Sequence, residues 1–137
     1  MDCGQIGLAL SAVMKSLLIV EDNAGMRRMI KSLVAGLADA IYECDGVDAF
    51  NLYEAHHPDW VLMDIEMEPV DGLTATRQIK AAFPDAKVMM ITNFGDAQMR
   101  EAARLAGASE YVTKENLLEV RRILASEDNS DKSPTDV

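Results

Sequence analysis

The sequence predicts an α/β fold built on a parallel sheet that helices cover on both faces. Two observations carry this. Five short apolar runs alternate with stretches whose apolar residues recur at helical spacing. The longest runs, at 16–20, 61–63 and 87–92, are almost unbroken rather than alternating, which is the pattern of strands buried on both sides. Apolar strands joined by helical crossovers run parallel, since an antiparallel pair needs only a tight turn. Right-handed crossovers limit the arrangements, while periodicity leaves the strand order open.

The first strand is Ser16-Leu17-Leu18-Ile19-Val20, and Met14 with Lys15 opens it cleanly, which marks Met14 as a candidate native start. Glu21-Asp22-Asn23 follow, and Asn23 is a residue type that caps a helix by accepting from a free backbone N–H. Met26, Met29, Ile30, Leu33, Val34 and Leu37 then form one helical stripe, at the core or its rim, with Arg27, Arg28 and Lys31 mostly off it. A short strand is expected at 40–44. A helix at 46–56 turns Val47, Phe50 and Tyr53 inward and ends before Pro58. Trp60 packs at the start of the next strand, Val61-Leu62-Met63, which stops at a lone carboxylate, Asp64. A turn containing Glu66, Pro69 and Asp71-Gly72 leads into a helix at 73–83, stopped by Pro84. The strand at 87–92 ends in the hydroxyl of Thr92. A helix at 96–106 closes on Gly107. A brief strand at 110–113, then Lys114, then a helix at 115–125 with Leu117, Val120 and Leu124 on one side complete the domain. Residues 1–14 are expected to be a flexible extension and 126–137 a disordered acidic tail without apolar periodicity.

At 137 residues the chain fits a single domain, 15–125, and 49% hydrophobic content is enough to bury a full core. A formal net charge of −10 excludes a general affinity for nucleic acid or an anionic membrane, because no basic patch neutralises phosphates. The expected partner is a cation or a protein. No apolar run is long enough to cross a membrane, and no positive charge precedes the weakly apolar 6–13, which argues against a secretory signal. Cys3 and Cys44 lack the paired spacing of a metal or redox motif, so both are expected to be reduced thiols in a cytoplasmic protein.

The residues that end the strands carry the chemistry. Glu21-Asp22 end the first, Asp64 the third, Thr92 the fourth, and Lys114 follows the fifth. Parallel strands bring these groups to one edge, where ligands bind in open α/β sheets. Two unit charges about 4 Å apart cost roughly 4 kcal/mol at an effective dielectric near 20, and one lysine cannot offset three carboxylates. A hard divalent cation is the physical remedy, and an all-oxygen site with room for water suits Mg²⁺. Such a site can also hold a phosphoryl group. The metal and Lys114 would neutralise its equatorial oxygens, Thr92 would donate a hydrogen bond, and Asp64 would attack phosphorus in line to form an acyl phosphate.

In this order, Glu21-Asp22, Asp64 with Asp71-Gly72 downstream, Thr92 and Lys114 resemble the receiver domain of two-component response regulators, of the chemotaxis-regulator type. The likeness runs from Lys15 to about Ala125. It implies a flavodoxin-like, doubly wound five-stranded sheet of order 2-1-3-4-5. It implies Asp64 as phosphoacceptor, and Glu21, Asp22, Asp64 and the backbone carbonyl of Glu66 as Mg²⁺ ligands. Thr92 and Lys114 become the phosphate-binding hydroxyl and lysine, and Thr92 and Tyr111 the switch pair. The implied protein takes a phosphoryl group from the phosphohistidine of a sensor histidine kinase or phosphotransfer protein. It catalyses its own phosphorylation and slow dephosphorylation without turning over an external substrate. Its readout surface would be the last two helices and the strand between them, touching an output protein or a second copy in a homodimer, with no direct contact to nucleic acid or membrane.

The chain departs from that pattern in places. Glu68 stands where a proline is usual four residues after the phosphoacceptor, and Pro69 follows instead. Asn93 replaces a small residue beside the switch hydroxyl and is expected to narrow access. Glu115 stands where a proline commonly follows the lysine. By the same resemblance, Glu66 and Phe94 occupy positions that in the family tune how fast water removes the phosphate. A phosphohydrolase of the haloacid dehalogenase kind also uses a nucleophilic aspartate, but it wants a second aspartate where this chain has Glu66. The other alternative is a receiver-like binding module that works unphosphorylated. His56 and His57, before Pro58, fall at the opposite edge as a solvated pair suited to a helix C-terminus.

Overall fold

The computed structural model describes residues 14–93 and 95–126; of the expected extension 1–14 only Met14 is described, buried in the first strand rather than flexible, and most of the acidic tail and Phe94 lie outside the described residues. The strands are β1 (Met14–Val20), β2 (Ala38–Cys44), β3 (Trp60–Asp64), β4 (Val88–Thr92) and β5 (Glu110–Thr113). They are joined by α1 (Ala24–Leu33), α2 (Ala49–His56), α3 (Gly72–Ala82), α4 (Ala97–Ala106) and α5 (Leu118–Ala125). All strands pair in parallel, in the order β2-β1-β3-β4-β5.

Alternation along each buried strand sends successive side chains to opposite faces, so one sheet feeds two cores. Leu18, Val20, Val61, Met63, Val88 and Met90 pack with Ala49 and Tyr53 of α2, Ala75 and Ile79 of α3, and Ala103 of α4. Leu17, Ile19, Leu62, Met89 and Ile91 pack on the other face with Ile30 of α1 and Val120 and Leu124 of α5. The winding reverses between β1 and β3, opening a crevice beyond their C-terminal ends.

Three helices start from capped ends at that same edge. Asn23, Asp71 and Asp96 each accept from the backbone N–H three residues on, at 2.8, 2.8 and 2.7 Å. Gly107, at φ 107°, ends α4 in the left-handed conformation that glycine adopts without a Cβ clash.

Some expectations are corrected. The first helix stops at Leu33, and Gly36 (φ 86°) turns the chain so that Leu37 is buried ahead of β2, with Met14 N–H donating to its carbonyl at 3.1 Å. Met29 is 53% exposed rather than core, and Val47 is 52% exposed. Val47 does not turn inward because it sits before α2, in a turn where its N–H donates to Asp45 Oδ1 at 3.1 Å. The last helix begins three residues late: Lys114–Asn116 form a 3₁₀ turn ahead of α5. Glu68–Pro69 is the cis peptide among the described residues, so Lys114–Glu115 is trans.

Candidate functional site

Glu21 leaves β1 while still tied to the sheet, its N–H donating to Cys44 O at 2.9 Å. That tether points its side chain inward, where it is 1% exposed. One carboxylate oxygen accepts from Asn23 N–H at 3.1 Å, and Arg27 donates to the Glu21 carbonyl at 2.6 Å. Asp22, next along, is exposed. Asp64, the last residue of β3, is 2% exposed. The chain then returns over it: Gly72 N–H donates to Ile65 O at 3.0 Å, and a Cβ at Gly72 would collide with the Asp64 carbonyl. Asp71-Gly72 is therefore a cap followed by the residue that permits this close return.

One carboxylate oxygen each from Glu21, Asp22 and Asp64 lie within 4.8 Å of one another. Lys114 reaches into them from the turn after β5, its Nζ 3.1 Å from Asp64 Oδ1 and 3.4 Å from Glu21 Oε1. These residues line an open cleft of about 450 Å³ together with Glu66, Asn93, Met26 and Met29. Thr92 is fully buried behind the cleft and is reached through Glu66, whose Oε2 accepts from its hydroxyl at 2.7 Å. Tyr111 stands apart. It borders a separate groove beyond β5, and the guanidinium of Arg100 lies 4.6 Å over its ring.

The electrostatics are unbalanced. Burial, then the charges of Glu21 and Glu66, push Asp64 from its ordinary 3.8 up to about 7, although Lys114 pulls the other way. Burial works against the charge on Lys114, but Asp64 and Glu21 outweigh it and hold the ammonium above its usual range. Glu66 Oε1 is nevertheless buried without a hydrogen bond, and the buried Glu21 Oε1 and Asp64 Oδ1 share the single ammonium of Lys114. An orphaned atom is rare in native proteins, and it and the shared ammonium call for an explanation. A divalent cation supplies one. The donors are all oxygen, and their spread is close to the roughly 4 Å that two ligands about 2.1 Å from one ion can span. The residues therefore fit Mg²⁺.

Residues 17–125 match the family of the response regulator receiver domain. The chain belongs to that family. It is 39% identical over 100 residues to the chemotaxis protein CheY of Bacillus subtilis, covering 72% of this chain and 83% of that protein. It is 35% identical over 101 residues to CheY of Halobacterium salinarum, covering 73% and 84%. A solved DNA-binding response regulator of the LuxR family from Staphylococcus aureus superposes with a TM-score of 0.72 at 29% identity, covering 84% of this chain and 98% of that one. The receiver fold and its strand order are those the resemblance implied. The acidic pocket at which receiver domains bind Mg²⁺ corresponds here to the cluster of Glu21, Asp22 and Asp64.

Two features of this receiver domain escape a reading of the sequence. The Glu66 side chain, not only its carbonyl, belongs to the site, and it joins residues 26 positions apart. Arg100 covers Tyr111 from a neighbouring helix. Neither contact leaves a local periodic signal. Of the departures, Glu68 and Glu115 are exposed and line no part of the cleft, while Asn93 borders it from an exposed position.

Proposed function

We propose that this receiver domain accepts a phosphoryl group on Asp64 from a phosphohistidine and uses it to switch protein contacts. The observation that carries this reading is the Asp64 carboxylate, buried at the sheet edge with the Lys114 ammonium 3.1 Å from its Oδ1. An Asp64 oxygen attacks phosphorus in line. The O–P bond forms as the donor's N–P bond breaks, and the leaving electron pair returns to the imidazole, which takes a proton from solvent.

The carboxylates of Glu21, Asp22 and Asp64 and the carbonyl of Glu66 would hold Mg²⁺, which would supply positive charge against the phosphoryl oxygens. Lys114 then exchanges its carboxylate partners for a phosphoryl oxygen. Thr92 donates its hydroxyl to another, and Tyr111 follows into the space Thr92 vacates. The transition is a population shift between two pre-existing states, biased by the new charge. Water attacking phosphorus restores Asp64 slowly, so the protein acts on itself and turns over no external substrate.

The donor is a sensor histidine kinase or phosphotransfer protein. The output is a protein contact at α4, β5 and α5, with a partner or a second copy, in the cytoplasm. No described helix is long and apolar enough to cross a membrane.

Incubation with acetyl phosphate and Mg²⁺, followed by intact mass spectrometry, tests the reading. Wild type should gain one phosphoryl group and Asp64→Ala none. No gain by wild type, or a gain kept by Asp64→Ala, overturns it, and the first outcome favours a binding module that works unphosphorylated.

A further inference from the structure

Thr92 Oγ1 donates to Glu66 Oε2 at 2.7 Å. A hydroxyl carries a single proton, so this bond engages the donor that a phosphoryl oxygen on Asp64 would require. The acceptor is a carboxylate, and charge-assisted bonds of this kind are roughly twice as strong as neutral ones. Glu66 shares the cleft with Asp64, and its other oxygen, Oε1, is buried with no hydrogen bond. The side chain is thus held inward by Thr92 in spite of the surrounding negative charge.

We propose that Glu66 is a positioning residue whose carboxylate holds the Thr92 hydroxyl before phosphoryl transfer, so that phosphorylation exchanges one anionic acceptor for another. The inference rests on Asp64 being the phosphoacceptor. A phosphoryl group and the Glu66 carboxylate cannot both take the one proton of Thr92, and their like charges repel at this range. Glu66 therefore has two positions, inward on Thr92 or outward into the open cleft, and the first opposes the switch. The backbone carbonyl assigned to the metal survives any substitution of the side chain, so the two roles of this residue separate by mutagenesis.

The test compares wild type, Glu66→Gln and Glu66→Ala by NMR of the Thr92 methyl and amide, first without metal or phosphoryl donor, then through a titration with beryllium fluoride and Mg²⁺. Glu66→Gln keeps size and a neutral acceptor, which preserves the comparison should the alanine variant be unstable. In the unliganded proteins, Glu66→Ala should move the Thr92 signals, and Glu66→Gln should move them less. Affinity for beryllium fluoride should rise about tenfold in Glu66→Ala and about threefold in Glu66→Gln, in keeping with loss of one charged hydrogen bond. Identical Thr92 signals in all three unliganded proteins, or unchanged affinity in both variants, overturn the proposal while leaving the phosphoacceptor reading in place. Failure of all three to take up beryllium fluoride overturns both.

Discussion

The two edges of the sheet treat their polar groups in opposite ways. Where the strands begin, the protein closes on itself. Asp59 Oδ2 accepts from the backbone N–H groups of Lys15 and Ser16 at 2.8 and 3.2 Å. Lys80 donates to the carbonyls of Pro84 and Ala86 at 2.6 and 2.8 Å. Lys87 lies 5.2 Å over the ring of Trp60, and His56 stacks on Tyr42 at 3.8 Å. At the other edge the buried carboxylates of Glu21 and Asp64 share one ammonium, that of Lys114, and Glu66 Oε1 is buried without a hydrogen bond. At the first edge each of these described groups has its partner within the protein. The second gathers more carboxylates than its one lysine offsets, and that contrast separates structural from functional polarity in one small domain.

The contrast can be broken at Lys114, the cation that reaches both Asp64 and Glu21. Lys114→Met should destabilise the metal-free protein by about 3–5 kcal/mol, the usual cost of leaving buried charge uncompensated, read as a lower urea midpoint in the presence of chelator. A loss under about 0.5 kcal/mol would mean the carboxylates do not depend on it.

The pH dependence of Asp64 sharpens the contrast. Its folded-state pKa, about 7, lies above the ordinary 3.8, so the folded protein binds the extra proton. The metal-free wild type should carry no penalty from Asp64 at low pH and lose stability progressively as pH rises from about 4 to about 7. Asp64→Asn should escape that loss and exceed wild type by on the order of 4 kcal/mol above neutrality, with the gap closing in acid. Parallel curves for the two proteins would refute the account of this carboxylate.

The closed edge gives the smaller effect. Asp59→Ala leaves two backbone donors without their acceptor and should cost about 1–2 kcal/mol. Phosphoryl uptake should be unchanged, since the substitution lies at the far end of the strands. A loss of uptake in this variant would show that the edges are coupled.

Much of this was legible in the residues. Unbroken apolar runs identify strands buried on both faces, and the polar residue ending each run marks the shared edge. The parallel sheet and the convergence of Glu21, Asp64 and Lys114 follow from local pattern. The strand order needed the family likeness, because periodicity carries no information about which strands are neighbours. Met29 shows why a helical stripe overreaches: it shares the spacing of Ile30 and Leu33 but points at the open cleft, where nothing covers it. Leu37 shares that spacing too, yet the helix has already ended, and it is buried as the lead-in to β2. The Glu66–Thr92 bond is invisible to any local pattern, since it depends on how two loops meet across the edge.

The central claim is that the open edge is completed by a divalent cation. Thermal denaturation of the wild-type protein across a Mg²⁺ titration near neutral pH tests it most directly. A saturable rise in Tm, absent from Asp64→Ala, is the predicted result, because a ligand that binds only the folded state stabilises it by mass action. A Tm that does not respond to Mg²⁺, or that responds equally in both proteins, would contradict it.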